Sequence, residues 1–157
     1  MRRRAAPVAG CSLAGLVLGA CFPSVEIDPN ELPANVSIEG YEQWSSFEVD
    51  GPAPGHGETQ RILFRNDVAR AYAHGGFYPD GTVIVKEIRD PVTDDELGDL
   101  RYLAIMRRID DPPDGVPTDE GWLFTDLRDG SEVQKELCWA SCHRQAPYQG
   151  AFFDHGF

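Results

Sequence analysis

The chain has 157 residues, with 26 acidic against 14 basic side chains, a formal net charge of −12 and four cysteines. That length holds one domain and whatever precedes it. The charge argues against binding nucleic acid or anionic lipid by electrostatics, so no nucleic-acid partner is expected.

Residues 1–20 read as a signal peptide of lipoprotein type. Arg2, Arg3 and Arg4 form a cationic start, a short apolar stretch runs from Ala5 to Ala20, and small residues precede Cys21. The stretch is too short for a spanning helix. Leu18-Gly19-Ala20-Cys21 resembles a bacterial lipobox, in which the cysteine is lipidated and becomes the mature N-terminus. An ordinary signal peptide with an incidental cysteine is the plainer alternative. Loss of residues 1–20 removes three arginines and no acid, which takes the charge from −12 to −15. Residues 21–40, with Pro23, Pro29 and Pro33, read as a flexible tether. The expected location is therefore the bacterial cell envelope, as a periplasm-facing lipoprotein of the outer membrane that meets the membrane through its lipid alone.

The folded domain is expected over residues 41–157. Arg61 to Arg65 reads as a strand, and Asn66 as the cap of a short helix through Val68, Ala69 and Tyr72. Tyr78-Pro79-Asp80-Gly81 is a turn that launches a strand from Thr82 to Ile88. Leu100 to Ile109 is a further strand, ended by Pro112-Pro113-Asp114-Gly115, and Trp122 to Leu127 is another, followed by a turn at Asp129-Gly130. Glu132 to His143 has helical composition. The sum is an α+β domain, mainly an antiparallel β-sheet with flanking helices.

The chemistry concentrates in Cys138-Trp139-Ala140-Ser141-Cys142-His143. Covalent attachment of c-type haem ordinarily uses Cys-x-x-Cys-His, whose thiols add to the haem vinyl groups and whose histidine ligates the iron. Here three residues separate the cysteines. Four apart on a helix still places Cys138 and Cys142 on one face, and His143 keeps its place after the second. A disulfide is the main alternative, although an i,i+4 helical pair is poor geometry for one. A zinc site would need a fourth ligand that the chain does not clearly supply. Export also removes the domain from the reducing cytosol.

Lys86 is the second candidate. Alternation places it with Thr82, Ile84 and Ile88 on one face of its strand, and Val83, Val85 and Glu87 on the other. The plain reading is an edge lysine whose stem packs while its amine reaches water. His56, His74 and His155 could ligate a metal or lie solvated in loops. Met106 could be a sixth iron ligand, though its apolar strand favours packing. Phe64, Trp122 and Phe124 could cap a haem or be ordinary core.

In order and spacing the chain resembles the cytochrome P-460 family, which includes the cytochrome c′-beta group. The landmarks are His56-Gly57, then a strand and Asn66, then Tyr78-Pro79-x-Gly81-Thr82-Val83-Ile84-Val85-Lys86-Glu87. Gly121-Trp122-x-Phe124 follows, then the cysteines with their histidine, and Asp154-x-x-Phe157. The resemblance implies an antiparallel sheet carrying haem c, held by Cys138 and Cys142, with five-coordinate iron on His143 and commonly a homodimer. It implies that Lys86 occupies the place of a lysine joined covalently to haem in hydroxylamine-oxidising members. The departure is the extra residue between the cysteines. Two uses remain open under this resemblance: oxidation of hydroxylamine or nitric oxide with electrons passed to an accepting cytochrome, or non-enzymatic binding of nitric oxide or carbon monoxide. A haem-free envelope lipoprotein, keeping the fold as a structural or interaction domain, is the contrasting class.

Overall fold

The computed structural model describes residues 25–49, 55–71, 76–91 and 97–153. Six strands form one antiparallel sheet in the order of the chain: β1 (Ser45–Val49), β2 (Gln60–Arg65), β3 (Val83–Arg89), β4 (Leu100–Arg108), β5 (Trp122–Arg128) and β6 (Ser131–Gln134). Helix α1 (Asp67–Arg70) follows β2, and α2 (Glu136–Ser141) follows β6. The α+β reading holds, with less helix than the composition suggested.

Successive side chains leave opposite faces of a strand, so the pleat divides the molecule. One face buries Ile62, Phe64, Val83, Val85, Leu103, Ile105 and Leu123 beneath Ile27, Val36 and Tyr41. The other carries a smaller aromatic cluster that includes Tyr78, Ile84, Met106, Trp122, Phe124 and Trp139. Asn66 ties β2 to β3. Its side chain accepts from the amides of Ala69 (3.0 Å) and Val83 (3.1 Å) and donates to the Gly81 carbonyl (2.8 Å).

The expectations for residues 21–40 and 132–143 need correction. The signal peptide, Cys21 and residues 22–24 lie outside the described residues, as do Tyr72, His74, Asp154, His155 and Phe157. From residue 25 onward the supposed tether is packed. The Ile27 amide donates to the Glu132 carbonyl (2.9 Å) and the Gln134 amide to the Val25 carbonyl (2.8 Å), which extends the sheet past β6. Val36 is wholly buried. Pro29 and Pro33 suit an irregular strap because the strap satisfies itself with 3₁₀ turns and edge bonds instead of a regular element. Residues 131–134 form β6 because the turn at Asp129 (φ 50°) and Gly130 (φ 83°) folds the chain straight back onto β5. Only 136–141 is helix.

A buried ion pair locks the strap to the sheet. The Arg107 guanidinium makes two bonds to the Glu132 carboxylate, one of them 3.1 Å, and both side chains are about 1% exposed. It also donates to the Val36 carbonyl (3.0 Å) and to the Thr125 hydroxyl (3.1 Å). Glu132→Ala would strand a buried guanidinium, which typically destabilises by about 3–5 kcal/mol. Urea unfolding should show that loss in the midpoint. A change below about 1 kcal/mol would show the pair to be dispensable.

Candidate functional site

On the face opposite the main core, Leu63, Ile84, Lys86, Ala104, Met106, Phe124 and Asp126 line a cleft enclosing about 530 Å³, open mouth included. Cross-strand register explains the set. Lys86 sits opposite Leu63 and Ala104, Ile84 opposite Met106, Met106 opposite Phe124, and Ala104 opposite Asp126. The far wall comes from the chain after β6: Cys138, His143, Ala151, Phe152 and Phe153. His56 enters from the segment before β2.

The histidine of the cysteine motif is held firmly. Its Nδ1 lies 2.6 Å from the Gly150 carbonyl oxygen, which can only accept, so Nδ1 carries the proton and Nε2 keeps its lone pair. The ring packs against Phe124 (4.7 Å between centroids) and Phe152 (5.1 Å). Burial, with a smaller push from Lys86, lowers its pKa to about 4 in spite of the Gly150 bond, so the imidazole is neutral. A neutral, apolar-flanked imidazole whose second nitrogen donates to a backbone carbonyl is the arrangement of a metal-ligating histidine.

Gly150 is fitted to this task. Its φ is +95°, and a Cβ there would stand 3.1 Å from both Trp122 Nε1 and Trp139 Cζ3. Trp122 in turn donates from Nε1 to the Gln149 carbonyl (2.9 Å) and meets Tyr78 edge-on at 5.5 Å.

The cysteines differ from each other. Both are free thiols and partly buried. Cys138, on α2, lines the cleft, and burial raises its thiol pKa. Cys142 lies past the end of the helix (φ −135°, ψ −60°), with its amide still bonded to the Cys138 carbonyl at 3.3 Å, and it does not line the cleft. The common helical face expected of the pair is therefore absent, because the helix stops at Ser141. The extra residue is absorbed in that break, which leaves both Cys138 and His143 at the cleft.

Opposite them stands a polar pair. Lys86 Nζ lies 3.2 Å from His56 Nε2, and His56 Nδ1 lies 3.1 Å from the Tyr102 hydroxyl. Burial, then the Arg61 charge, lowers the Lys86 pKa to about 8. Burial, then Lys86, lowers that of His56 to about 4. The edge-lysine reading is thus replaced by a lysine that looks into the cleft.

Of the three aromatic candidates only Phe124 lines the cleft. Phe64 faces the main core against Tyr41 (5.1 Å), because it is one residue out of phase with Leu63, the true wall residue. Trp122 is buried behind the wall and acts through the Gln149–Gly150 turn. Met106 packs in the wall between Ile84 and Phe124. The sequence reading missed Tyr102, Asp126, Gly150 and Phe152. A two-residue step from Phe124 to Asp126 and from Met106 to Ala104 would have found part of this wall.

A cytochrome P460 family model matches residues 38–153, and the chain belongs to that family. Membership implies a haem cofactor. No curated protein matches the chain. The donor set agrees with the family: a fixed imidazole lone pair, a thiol beside it and apolar walls. Among the described residues there is no group of three or more His, Cys, Asp and Glu side chains that would hold a metal ion unaided.

Gly150→Ala forces a β-carbon into a positive-φ position against two indoles. It should lower stability by about 1–3 kcal/mol and weaken the bond that fixes His143. Histidine ¹⁵N shifts would show His143 tautomers mixing, and an unchanged tautomer would separate Gly150 from the ligand's orientation.

Proposed function

We propose that the chain is an exported, lipid-anchored haem c protein of the bacterial envelope whose iron has one open face that binds or oxidises small nitrogen species such as hydroxylamine or nitric oxide. The observation that carries this reading is His143, neutral and bonded through Nδ1 to Gly150, with its free nitrogen on a cleft that Lys86 faces from the other side. His143 would be the proximal ligand, and Cys138, which lines the cleft, would hold the haem through a thioether, with Cys142 the motif's second thiol lying outside the cleft lining. The haem, when bound, supplies a redox-active iron that can bind diatomics and nitrogen oxyhydrides.

This chain's own residues would do the rest. Phe124 and Phe152 would flank the proximal ring. Both nitrogens of His56 are engaged, so His56 presents no free lone pair to iron and the distal side is a polar pair instead of a second ligand. A lysine with pKa near 8 has an appreciable neutral fraction at neutral pH, which supports Lys86 as a nucleophile for a haem cross-link or as a base toward a bound ligand. The mature charge of −15 suits docking to a basic electron-accepting cytochrome, and a homodimer is the assembly that the family resemblance favours.

Protein produced with its native cytochrome-maturation machinery should show a Soret band that resists acid-acetone extraction. A colourless product would favour the haem-free lipoprotein instead. His143→Ala should abolish normal ligation, and retained native absorbance in that variant would reject the proximal assignment. A red-shifted ferrous Soret band, with a peptide mass showing Lys86 modified, marks the oxidising enzyme. An unmodified Lys86 marks a carrier of nitric oxide or carbon monoxide.

A further inference from the structure

We infer that His56 and Tyr102 form a proton relay that connects Lys86 in the cleft with solvent at its rim. The line itself stands on geometry, and its use toward an iron ligand rests on the open-iron reading above. Three polar groups stand in line: Lys86 Nζ, 3.2 Å to His56 Nε2, and His56 Nδ1, 3.1 Å to the Tyr102 hydroxyl. Tyr102 does not line the cleft. It is half-buried, with the Arg128 guanidinium 3.6 Å from its ring centroid, and the Arg128 side chain is about half exposed. The line therefore leads from the cleft to the surface in two steps.

The chemistry of the three groups lets one proton cross without leaving a charge on the middle members. An ammonium only donates, a neutral imidazole donates at one nitrogen and accepts at the other, and a phenol does both. With Lys86 protonated, Nζ donates to Nε2 and Nδ1–H donates to the Tyr102 oxygen. Transfer breaks Nζ–H and forms Nε2–H, breaks Nδ1–H and forms a new bond at the phenol oxygen, and releases the phenol's former proton to water. It ends with a neutral amine, the other tautomer of neutral His56 and an intact phenol. Imidazolium and phenolate are both avoided. That suits a site where burial and Lys86 disfavour a charged His56 and burial and Asp126 disfavour an ionised Tyr102. The groups facing this line are Arg61 from β2, Asp126 from β5, Cys138 from α2 and His143, with Arg101 and Arg128 beside Tyr102. An amine reset in this way can take a proton from a ligand that binds the iron as its anion, and the line is ready for another once His56 returns to its first tautomer.

Cyanide and carbon monoxide separate this role from a structural one. Hydrogen cyanide must lose its proton to bind ferric iron as the anion, whereas carbon monoxide binds ferrous iron with no proton change. His56→Leu should lower the ratio of cyanide to carbon monoxide association rates by roughly 10²-fold, the usual scale of a lost acid–base group. Tyr102→Phe, which keeps the ring under Arg128, should lower it several-fold. An unchanged ratio, with both rates falling together or neither moving, would overturn the relay. A colourless wild-type protein would defeat the haem reading and not this one. In that case Lys86→Met and Tyr102→Phe must each shift the ¹⁵N resonances of His56, and unmoved resonances would overturn the relay there as well.

Discussion

The two-residue pleat of the β3–β4 pair governs everything at the site, because these strands run through the middle of the sheet and each side chain has only two directions to take. Val83, Val85, Leu103 and Ile105 go to the main core. Ile84, Lys86, Ala104 and Met106 go to the cleft. A shift of one residue would exchange the two sets and place Lys86 in the hydrophobic core. The register is held from the core side. The Arg107–Glu132 pair spans β4 and β6 and draws the strap down through the Val36 carbonyl. Tyr41 from the same strap donates to Glu87 (3.0 Å) at the centre of β3. The core face thus fixes the phase in which the cleft face is presented.

The second half of the cleft depends on a different device, a chain segment with little regular structure. After α2 the backbone breaks at Cys142, passes through a short 3₁₀ turn (His143–Gln145) and doubles back at Tyr148–Ala151. Trp122 holds this turn through the Gln149 carbonyl, and the turn holds His143 through the Gly150 carbonyl. A strand residue outside the cleft therefore sets the orientation of the imidazole inside it. Such indirect support is what keeps a ligating imidazole in one tautomer and one direction.

Strands β2 to β5 were legible in the sequence, most of them bounded by a strong local signal, whereas β1 (Ser45–Val49) was not expected. The Pro79-Asp80-Gly81 turn, the Pro112–Gly115 loop and the Asp129-Gly130 turn punctuate β3, β4 and β5. Alternation in β3 also assigned Lys86 correctly to the face of Ile84. Reading failed where tertiary contacts decide. β6 is four residues long and runs directly into helical composition, so no local pattern separates Val133 from Leu137. The strap looks like a tether because its stability comes from docking onto Arg107 and the edge of β6, which composition does not register. Phe64 was chosen for being aromatic, whereas the pleat selects by parity; Trp122 has the parity of Phe124 but lies beyond the cleft lining, packed on Tyr78. His56 and Tyr102 lie 46 residues apart, and no spacing rule joins them.

In the proposed function His143 is the one ligand to iron among the described residues, with its second nitrogen on the Gly150 carbonyl and His56 engaged by Lys86 and Tyr102. A crystal structure of the haem-loaded protein tests this most directly. It should show iron bonded to His143 Nε2, the Nδ1–Gly150 bond intact and no side chain of the chain on the opposite face. Iron ligated by His56 or Met106, or His143 turned from the cleft, would contradict it.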